Sequence, residues 1–247
     1  MKQFLRGLLI PLALLLCFFA TLPVWAQQAT PELVERSRPG VAQVCLAEVG
    51  SGESRKQEQC LGTAFLIGSD CTFLTAKHML RNSEPERLVL IVQTPDSPET
   101  VAVRKARVLA TSDDRDLALL RIDTVRGKPC SANPASLLSI HTPSAEFLAG
   151  EEVLVIGYPV LDESRHLHHP IARAGIVASG DTTHLGQPMI ILDLIGVPGF
   201  SGSPVLLVRT GKAIGVVYGP GPTKRGYGFE WATPVSLNDL ENLRQEH

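Results

Sequence analysis

A serine flanked by glycines is the strongest chemical signal in the chain. Residues 199–204 (GFSGSP) lie between two apolar runs, with Ser201 at the centre. Glycines on both sides permit a strained turn that exposes a hydroxyl and leaves room for a substrate carbonyl. Neighbouring backbone N–H groups in such a turn can converge on a developing oxyanion. The same pattern also fits an ordinary β-turn, and on its own it does not choose between the two.

Two further residues could serve such a nucleophile. His78 follows the run Leu74-Thr75-Ala76-Lys77, and Asp116 opens the apolar run at 117–122. A histidine just beyond a buried strand is held rigidly, and a half-buried carboxylate can orient an imidazole. Taken singly, each residue is more often structural. With Ser201 they make up the nucleophile, base and orienting acid that acyl transfer requires.

The first residues have the pattern of an export signal. Lys2 and Arg6 precede the apolar run 7–20, and Val24-Trp25-Ala26 supplies small residues for cleavage. We therefore expect a signal peptide over 1–26 and a mature chain over 27–247. The alternative, an uncleaved anchor, is disfavoured because the run has about 14 residues and a spanning helix needs about 20. The working compartment is expected to be periplasmic or extracellular.

Composition excludes several classes of partner. The 247 residues carry a net charge of −2, and only 5% are aromatic. Near-neutral charge and scarce aromatics argue against a nucleic-acid partner. Cleavage after Ala26 would leave 21 basic and 25 acidic residues, a net −4. No membrane association is expected after cleavage. The oligomeric state stays open, and a monomer is compatible with the sequence.

Four cysteines remain after Cys17 is removed with the signal peptide. An even number in an exported chain favours disulfides, and four cysteines allow three connectivities. Cys45 and Cys60 lie almost symmetrically about a turn at 51–53, so the preferred pairs are Cys45–Cys60 and Cys71–Cys130. Buried thiols are the alternative for either pair.

Short strand-like runs separated by turns dominate the pattern. Six fall in the first half, at about 41–48, 59–67, 71–76, 87–93, 101–110 and 116–122. Six follow a Pro- and Ser-rich connector, at about 152–157, 171–179, 188–194, 204–208, 212–218 and 227–233. Regularly spaced short strands indicate an all-β sandwich or barrel, here as two β-domains of similar size. Helical leucine spacing at 237, 240 and 243 predicts a short C-terminal helix.

The order His78, Asp116, Ser201 resembles that of the trypsin-like serine proteases. The motifs TAKH, DLALL and GFSGSP carry the resemblance, together with GTAFLIG and residues 157–159 (GYP). They are most similar to bacterial high-temperature-requirement (Deg-type) proteases and to glutamyl endopeptidases. The resemblance implies two six-stranded antiparallel barrels: an N-barrel at about 36–125, a connector at about 126–150, a C-barrel at about 151–235 and a helix at about 236–245. Many Deg-type proteases carry a PDZ module, and we expect none here.

The resemblance also implies roles for individual residues. Ser201 matches the nucleophile, His78 the general base and Asp116 the residue that fixes the imidazole tautomer. The N–H groups of Gly199 and Ser201 match the oxyanion hole. No cofactor is implied. Ser203 stands where many relatives have a second glycine, which is tolerable if its backbone angles are ordinary.

The expected substrate pocket is apolar. By resemblance, Ile195 lies at its base and the remaining wall comes from Gly196, Val217, Tyr218 and Gly219. A buried substrate charge without a partner would cost several kcal/mol there, so the sequence predicts an apolar or small P1 residue.

The histidines of the 162–170 loop, His166, His168 and His169, are expected to be solvated, although a metal site is conceivable. We expect no bound metal at these histidines. We also expect His184 to be an ordinary surface residue. The function predicted from these residues is that of an exported serine endopeptidase acting on polypeptides. The alternative is a catalytically silent trypsin-fold module that binds peptides or a protein.

Overall fold

The computed structural model describes residues 25–47, 59–81, 83–94, 97–122, 139–140, 148–160, 169–220 and 228–245. The first half of the chain forms six strands: β1 (Val41–Leu46), β2 (Gln59–Gly68), β3 (Thr72–Thr75), β4 (Leu88–Thr94), β5 (Ser97–Thr111) and β6 (Ala118–Ile122). The second half forms six more: β7 (Glu152–Gly157), β8 (Ile171–His184), β9 (Gln187–Asp193), β10 (Pro204–Leu207), β11 (Lys212–Pro220) and β12 (Phe229–Pro234).

The strands close into two antiparallel barrels, the N-barrel and the C-barrel. The N-barrel has the order β1-β2-β3-β6-β5-β4, and the C-barrel has the order β10-β11-β12-β9-β8-β7. This confirms the predicted all-β double barrel of six strands each. Every predicted strand run overlaps an observed strand, because apolar stretches bounded by turn residues specify strands well.

Strand alternation builds the two cores. On β7, Val153 and Val155 face the interior of the C-barrel, while Leu154 and Ile156 pack with the core of the N-barrel. Successive side chains of a strand point to opposite faces, so this one strand joins both cores. All four side chains are at most 1% exposed. Burial of each such side chain contributes about 1.5–3 kcal/mol, which fixes one barrel against the other.

Two α-helices flank the barrels in the described part of the chain. Helix α1 (Trp25–Ser37) occupies the stretch expected to be only a polar lead-in, and it buries Leu33 and Val34 against the core. Helix α2 (Leu237–Gln245) matches the predicted C-terminal helix and buries Leu240 and Leu243.

Residues 1–24 lie outside the described residues, so the signal peptide stays a prediction. In the part of the chain that is described, no helix has the length and apolar character to cross a membrane.

One disulfide closes the β1–β2 hairpin. Cys45 and Cys60 face each other in the register of the two strands and are bonded, as the preferred pairing has it. Cys71 is buried at the entrance of β3. Its expected partner, Cys130, lies outside the described residues, so that second pairing stays a prediction.

Candidate active site

The Ser201 turn depends on glycine at two positions. Gly199 has φ +93° and Gly202 has φ +84°, both in the left-handed region that favours glycine. A methyl group on Gly202 would lie 2.0 Å from the carbonyl oxygen of Thr63, and one on Gly199 would lie 2.4 Å from that of Tyr158. Ser203 has no positive φ, so its departure from the glycine of relatives introduces no backbone strain.

Residues 197–200 (VPGF) form a turn that orients one peptide group. The Phe200 N–H donates to the Val197 carbonyl at 3.1 Å, and the positive φ of Gly199 makes this a type II turn. The Pro198 carbonyl accepts from the Val160 N–H at 2.8 Å. Because a trans peptide points its carbonyl and N–H in opposite directions, the Gly199 N–H is directed away from Val160.

The turn leaves two backbone donors available. Among the described residues, the N–H groups of Gly199 and Ser201 have no hydrogen-bond partner, whereas those of Phe200, Gly202 and Ser203 donate to carbonyls. These two donors are the ones that the sequence assigned to an oxyanion hole. Unpaired N–H groups held in a rigid turn can stabilise negative charge without reorganisation.

Thr63 on β2 braces this turn from the N-barrel. Its N–H donates to the Ser201 carbonyl at 2.9 Å, and its hydroxyl donates to the Gly199 carbonyl at 3.0 Å. The same hydroxyl accepts from the Tyr158 N–H at 3.0 Å, and the Thr63 carbonyl accepts from the Thr75 hydroxyl at 2.7 Å. Thr63, which is fully buried, thus connects the Ser201 turn, the end of β7 and the N-barrel.

His78 and Asp116 are brought into direct contact. The Nδ1 of His78 lies 2.6 Å from Oδ2 of Asp116, and the backbone N–H of His78 donates to Oδ1 at 2.7 Å. Asp116 precedes β6 and is 6% exposed, while His78 lies in the 3₁₀ turn after β3. A carboxylate that accepts from Nδ1–H leaves Nε2 unprotonated, which is the tautomer that a general base needs.

The Ser201 hydroxyl donates a hydrogen bond to a backbone carbonyl. Among the described residues its hydrogen-bond partner is the Tyr218 carbonyl, at 3.1 Å. The Tyr218 ring packs against His78 with the ring centroids 5.1 Å apart, so the three residues share one cleft. Proton transfer to His78 requires the hydroxyl to turn away from Tyr218. Such hydrogen bonds are often not formed until substrate binds.

Among the described residues, the edge of β11 beyond Val217 has no strand partner, and this edge borders Ser201. Strand β10 pairs with β11 only as far as Val216, whereas β12 continues to pair through Pro220. Tyr218 is the bulge residue between Val217 and Gly219. A side-chain carbon on Gly219 would lie 3.9 Å from the Ser201 hydroxyl. This edge can therefore accept an added peptide strand next to Ser201.

The other residues predicted to line the substrate pocket differ in their exposure to solvent. Ile195 is 59% exposed and Gly196 follows it in the segment between β9 and the Ser201 turn. Val217 is fully buried in the C-barrel core, and both its N–H and its carbonyl are paired, with Ser203 and Gly202. These backbone bonds attach the Ser201 turn to β11, and the role of Val217 in a substrate pocket stays a prediction.

The histidines other than His78 lie in different parts of the chain. His166 and His168 lie outside the described residues, and His169 is hydrogen-bonded to Gln93 at 2.7 Å. In the described ranges, no cluster of three His, Cys, Asp or Glu side chains could hold a metal. His184, expected to be an ordinary surface residue, packs on Trp231 and Tyr218 with centroids 4.7 and 6.2 Å apart. It therefore belongs to the wall of the cleft.

Two buried polar residues, Thr63 and Glu230, were not identified from the sequence. Thr63 was read only as part of the strand motif GTAFLIG, since its partners come from distant parts of the chain. Glu230 was passed over although it is the one charge within the run 227–233 (YGFEWAT). A carboxylate within an apolar strand is the signal that could have identified it.

The two barrels and the cleft between them define a trypsin-type fold, and comparison with known proteins agrees. Residues 62–216, more than half of the chain, match the model of the trypsin-like peptidase domain. The chain belongs to that family, and within it the relatives are of the Deg type.

The relatives with named functions are exported or organellar proteases. The chain is 28% identical over 190 residues to a probable periplasmic serine endoprotease, DegP-like, of Pseudomonas putida, covering 75% of this chain and 35% of that protein. It is 29% identical over 177 residues to the chloroplastic Protease Do-like 1 of Arabidopsis thaliana, covering 68% and 36%. The chain thus spans about a third of the length of these relatives.

Solved structures share the fold. The HtrA-type protease AlgW with decapeptide superposes with a TM-score of 0.67 at 20% identity, covering 88% of this chain and 67% of that one. Deg5 superposes with a TM-score of 0.62 at 18% identity, covering 87% and 92%.

Proposed function

We propose that the protein is an exported serine endopeptidase that hydrolyses polypeptides through Ser201, His78 and Asp116. The observation that carries the proposal is the arrangement at one cleft. An Asp116-bound His78 lies beside a glycine-flanked serine whose turn presents two unpaired N–H groups. The relatives named as serine endoproteases support the same reaction class.

The mechanism follows from these groups. The Ser201 hydroxyl leaves the Tyr218 carbonyl, gives its proton to Nε2 of His78 and attacks the substrate carbonyl carbon. The N–H groups of Gly199 and Ser201 hold the resulting oxyanion, each contributing roughly 10²–10³ in rate. The imidazolium, stabilised by Asp116, protonates the leaving amine as the C–N bond breaks. Water, deprotonated by His78, then hydrolyses the acyl-enzyme and regenerates the hydroxyl. No cofactor takes part in these steps.

A silent peptide-binding module is the second candidate. The hydrogen bond from Ser201 to the Tyr218 carbonyl favours it, because in that rotamer the hydroxyl is not in contact with the base. The unpaired edge of β11 would serve a binding module as well as an enzyme.

The sequence predicts Ile195 at the base of the substrate pocket. Its side chain is 59% exposed, so we propose that it borders the bound substrate as an apolar contact rather than closing the pocket. We take the substrates to be polypeptides only, without nucleic acid.

Export is part of the proposal. The pattern of residues 1–26 supports a cleaved signal peptide, and the Pseudomonas relative is named as periplasmic. The disulfide between Cys45 and Cys60 supports an oxidising compartment, since disulfides are rare in the cytosol. We propose the periplasm, with the extracellular medium as the alternative.

Cleavage of an unfolded polypeptide tests the function. The purified chain should cut reduced, alkylated casein into new fragments, and a Ser201→Ala variant with the same thermal unfolding midpoint should not. Equal fragmentation by both proteins would mean that another residue, or a contaminant, is responsible. Binding of casein without cleavage by either protein would establish the silent module instead.

A further inference from the structure

Glu230 on β12 is a buried carboxylate without a hydrogen-bond partner. Its side chain is 1% exposed, and neither carboxylate oxygen has a donor within reach in the described part of the chain. A buried carboxylate left unpaired costs several kcal/mol, so proteins seldom keep one without a use.

Among the described residues, few positively charged groups stabilise the ionised Glu230 carboxylate. Burial raises the pKa of Glu230 to about 7, and the guanidinium of Arg173 on β8 opposes this only in part. Arg173 pairs with Val155 and shares its face, so it points toward the same barrel interior. The facing residues on β9 and β11, Leu192 and Pro220, bring no charge. Within the described ranges, the carboxylate oxygens of Glu230 therefore have no donor and could accept from a cation.

The register of β12 places this carboxylate between the two segments that border Ser201. On one side Glu230 pairs with Pro220, which directly follows Tyr218 and Gly219. On the other side it pairs with Leu192, three residues before Ile195. Ala232, two residues along β12, lies in the C-barrel core, so by strand alternation Glu230 faces the same interior.

We propose that Glu230 is the specificity-determining acid of the substrate pocket, where it pairs with the ammonium or guanidinium group of a Lys or Arg residue at P1. The inference rests on the proposed peptidase function. A substrate chain added to the edge of β11 presents its P1 side chain between that edge and the Ile195 segment, toward Glu230. The aliphatic stem of Lys or Arg then contacts Ile195, while the charged end reaches the carboxylate.

This assignment replaces the expectation of an apolar or small P1 residue. That expectation considered Ile195, Gly196 and the segment around Tyr218, none of which carries a carboxylate. Glu230 supplies one from a strand that sequence reasoning did not connect with the pocket. A site that holds an unpaired buried acid discriminates strongly against a substrate that leaves it unpaired.

A pair of matched substrates tests the assignment. Peptides that differ only in Lys or norleucine at P1 keep the same stem and change only the charge. We expect the intact enzyme to cleave the Lys peptide with kcat/KM about tenfold or more above the norleucine peptide. In Glu230→Gln this ratio should fall close to one. Asp193→Asn is the control, because it removes an exposed carboxylate one position away in the same ladder and should keep the ratio.

A ratio near one in the intact enzyme, or an equal ratio in Glu230→Gln, would overturn the assignment. Affinity measured on Ser201→Ala separates it from the proposed function. Tighter binding of the Lys peptide by Ser201→Ala, lost when Glu230→Gln is added, supports the pocket even if the intact chain cleaves nothing. Cleavage without any preference for Lys would refute the pocket and leave the peptidase standing.

Discussion

Removing the Thr63 hydroxyl is the sharpest test of how the nucleophile turn is held. Thr63→Val keeps the shape of the side chain and deletes only its hydrogen-bonding oxygen. Two bonds of 3.0 Å are lost, one to the Gly199 carbonyl and one from the Tyr158 N–H. Thr63→Ser keeps the oxygen and is the matched control.

The structure sets the size of the effect. The Tyr158 N–H is buried and would be left without an acceptor, at a cost of about 1–3 kcal/mol. With the Gly199 carbonyl also losing its donor, we expect the free energy of unfolding to fall by about 2–4 kcal/mol. The turn would keep the bond from Val160 to Pro198. We therefore expect kcat to fall about 10–100-fold, less than the roughly 10²–10³ for losing a whole oxyanion donor.

The assay must separate positioning from stability. Peptide aldehydes form a hemiacetal with Ser201 whose oxygen occupies the oxyanion hole. Well below the unfolding temperature, their affinity should fall in parallel with kcat in Thr63→Val and recover in Thr63→Ser. A Thr63→Val enzyme that is less stable but has an unchanged kcat and aldehyde affinity would refute the bracing role.

Three further predictions address other parts of the molecule. Asp116→Asn should lower kcat about 10⁴-fold at neutral pH while the protein stays folded, measured by steady-state hydrolysis, because the amide favours the wrong imidazole tautomer; a loss below tenfold would contradict it. Because the pKa of Glu230 is raised, the folded state holds its proton between pH 4.5 and about 7 more tightly than the unfolded chain. Stability should therefore fall as pH rises through that window, by up to about 3 kcal/mol. Denaturant titrations at several pH values should show this fall in the free energy of unfolding, and the fall should be smaller in Glu230→Gln. An equal fall in Glu230→Gln would contradict the assignment of the pH dependence to Glu230. Replacing Cys45 and Cys60 together by serine should cost about 3 kcal/mol in the same titration, given the 15-residue separation, and an equal midpoint would contradict that cost.

The strands were predictable because their signal is local. Short apolar runs bounded by Gly, Pro and polar turns identify β-strands without knowledge of their partners. The lead-in at 27–40 was not assigned a helix, because its composition is polar and, of the side chains described there, Leu33 and Val34 are the apolar ones buried in the core. Tertiary packing stabilises α1, and that packing is not visible in a short window of sequence.

The site was predictable only in part, for the same reason. His78, Asp116 and Ser201 lie in recognisable sequence motifs, so they could be identified from the sequence as candidate catalytic residues. Thr63 acts through Gly199 and Tyr158, which are 136 and 95 residues away. The position of the buried Glu230 carboxylate depends on the register of β12 with β9 and β11. Contacts of this kind exist only after the barrels close.

Labelling by a fluorophosphonate tests the central claim most directly, since the probe reacts only with a serine that is activated as a nucleophile. We expect a single adduct on the intact chain, mapped by mass spectrometry to Ser201, and no adduct on Ser201→Ala. Labelling of His78→Ala should be strongly slowed. Absence of an adduct on the folded intact chain, or an adduct on any other residue, would contradict the central claim.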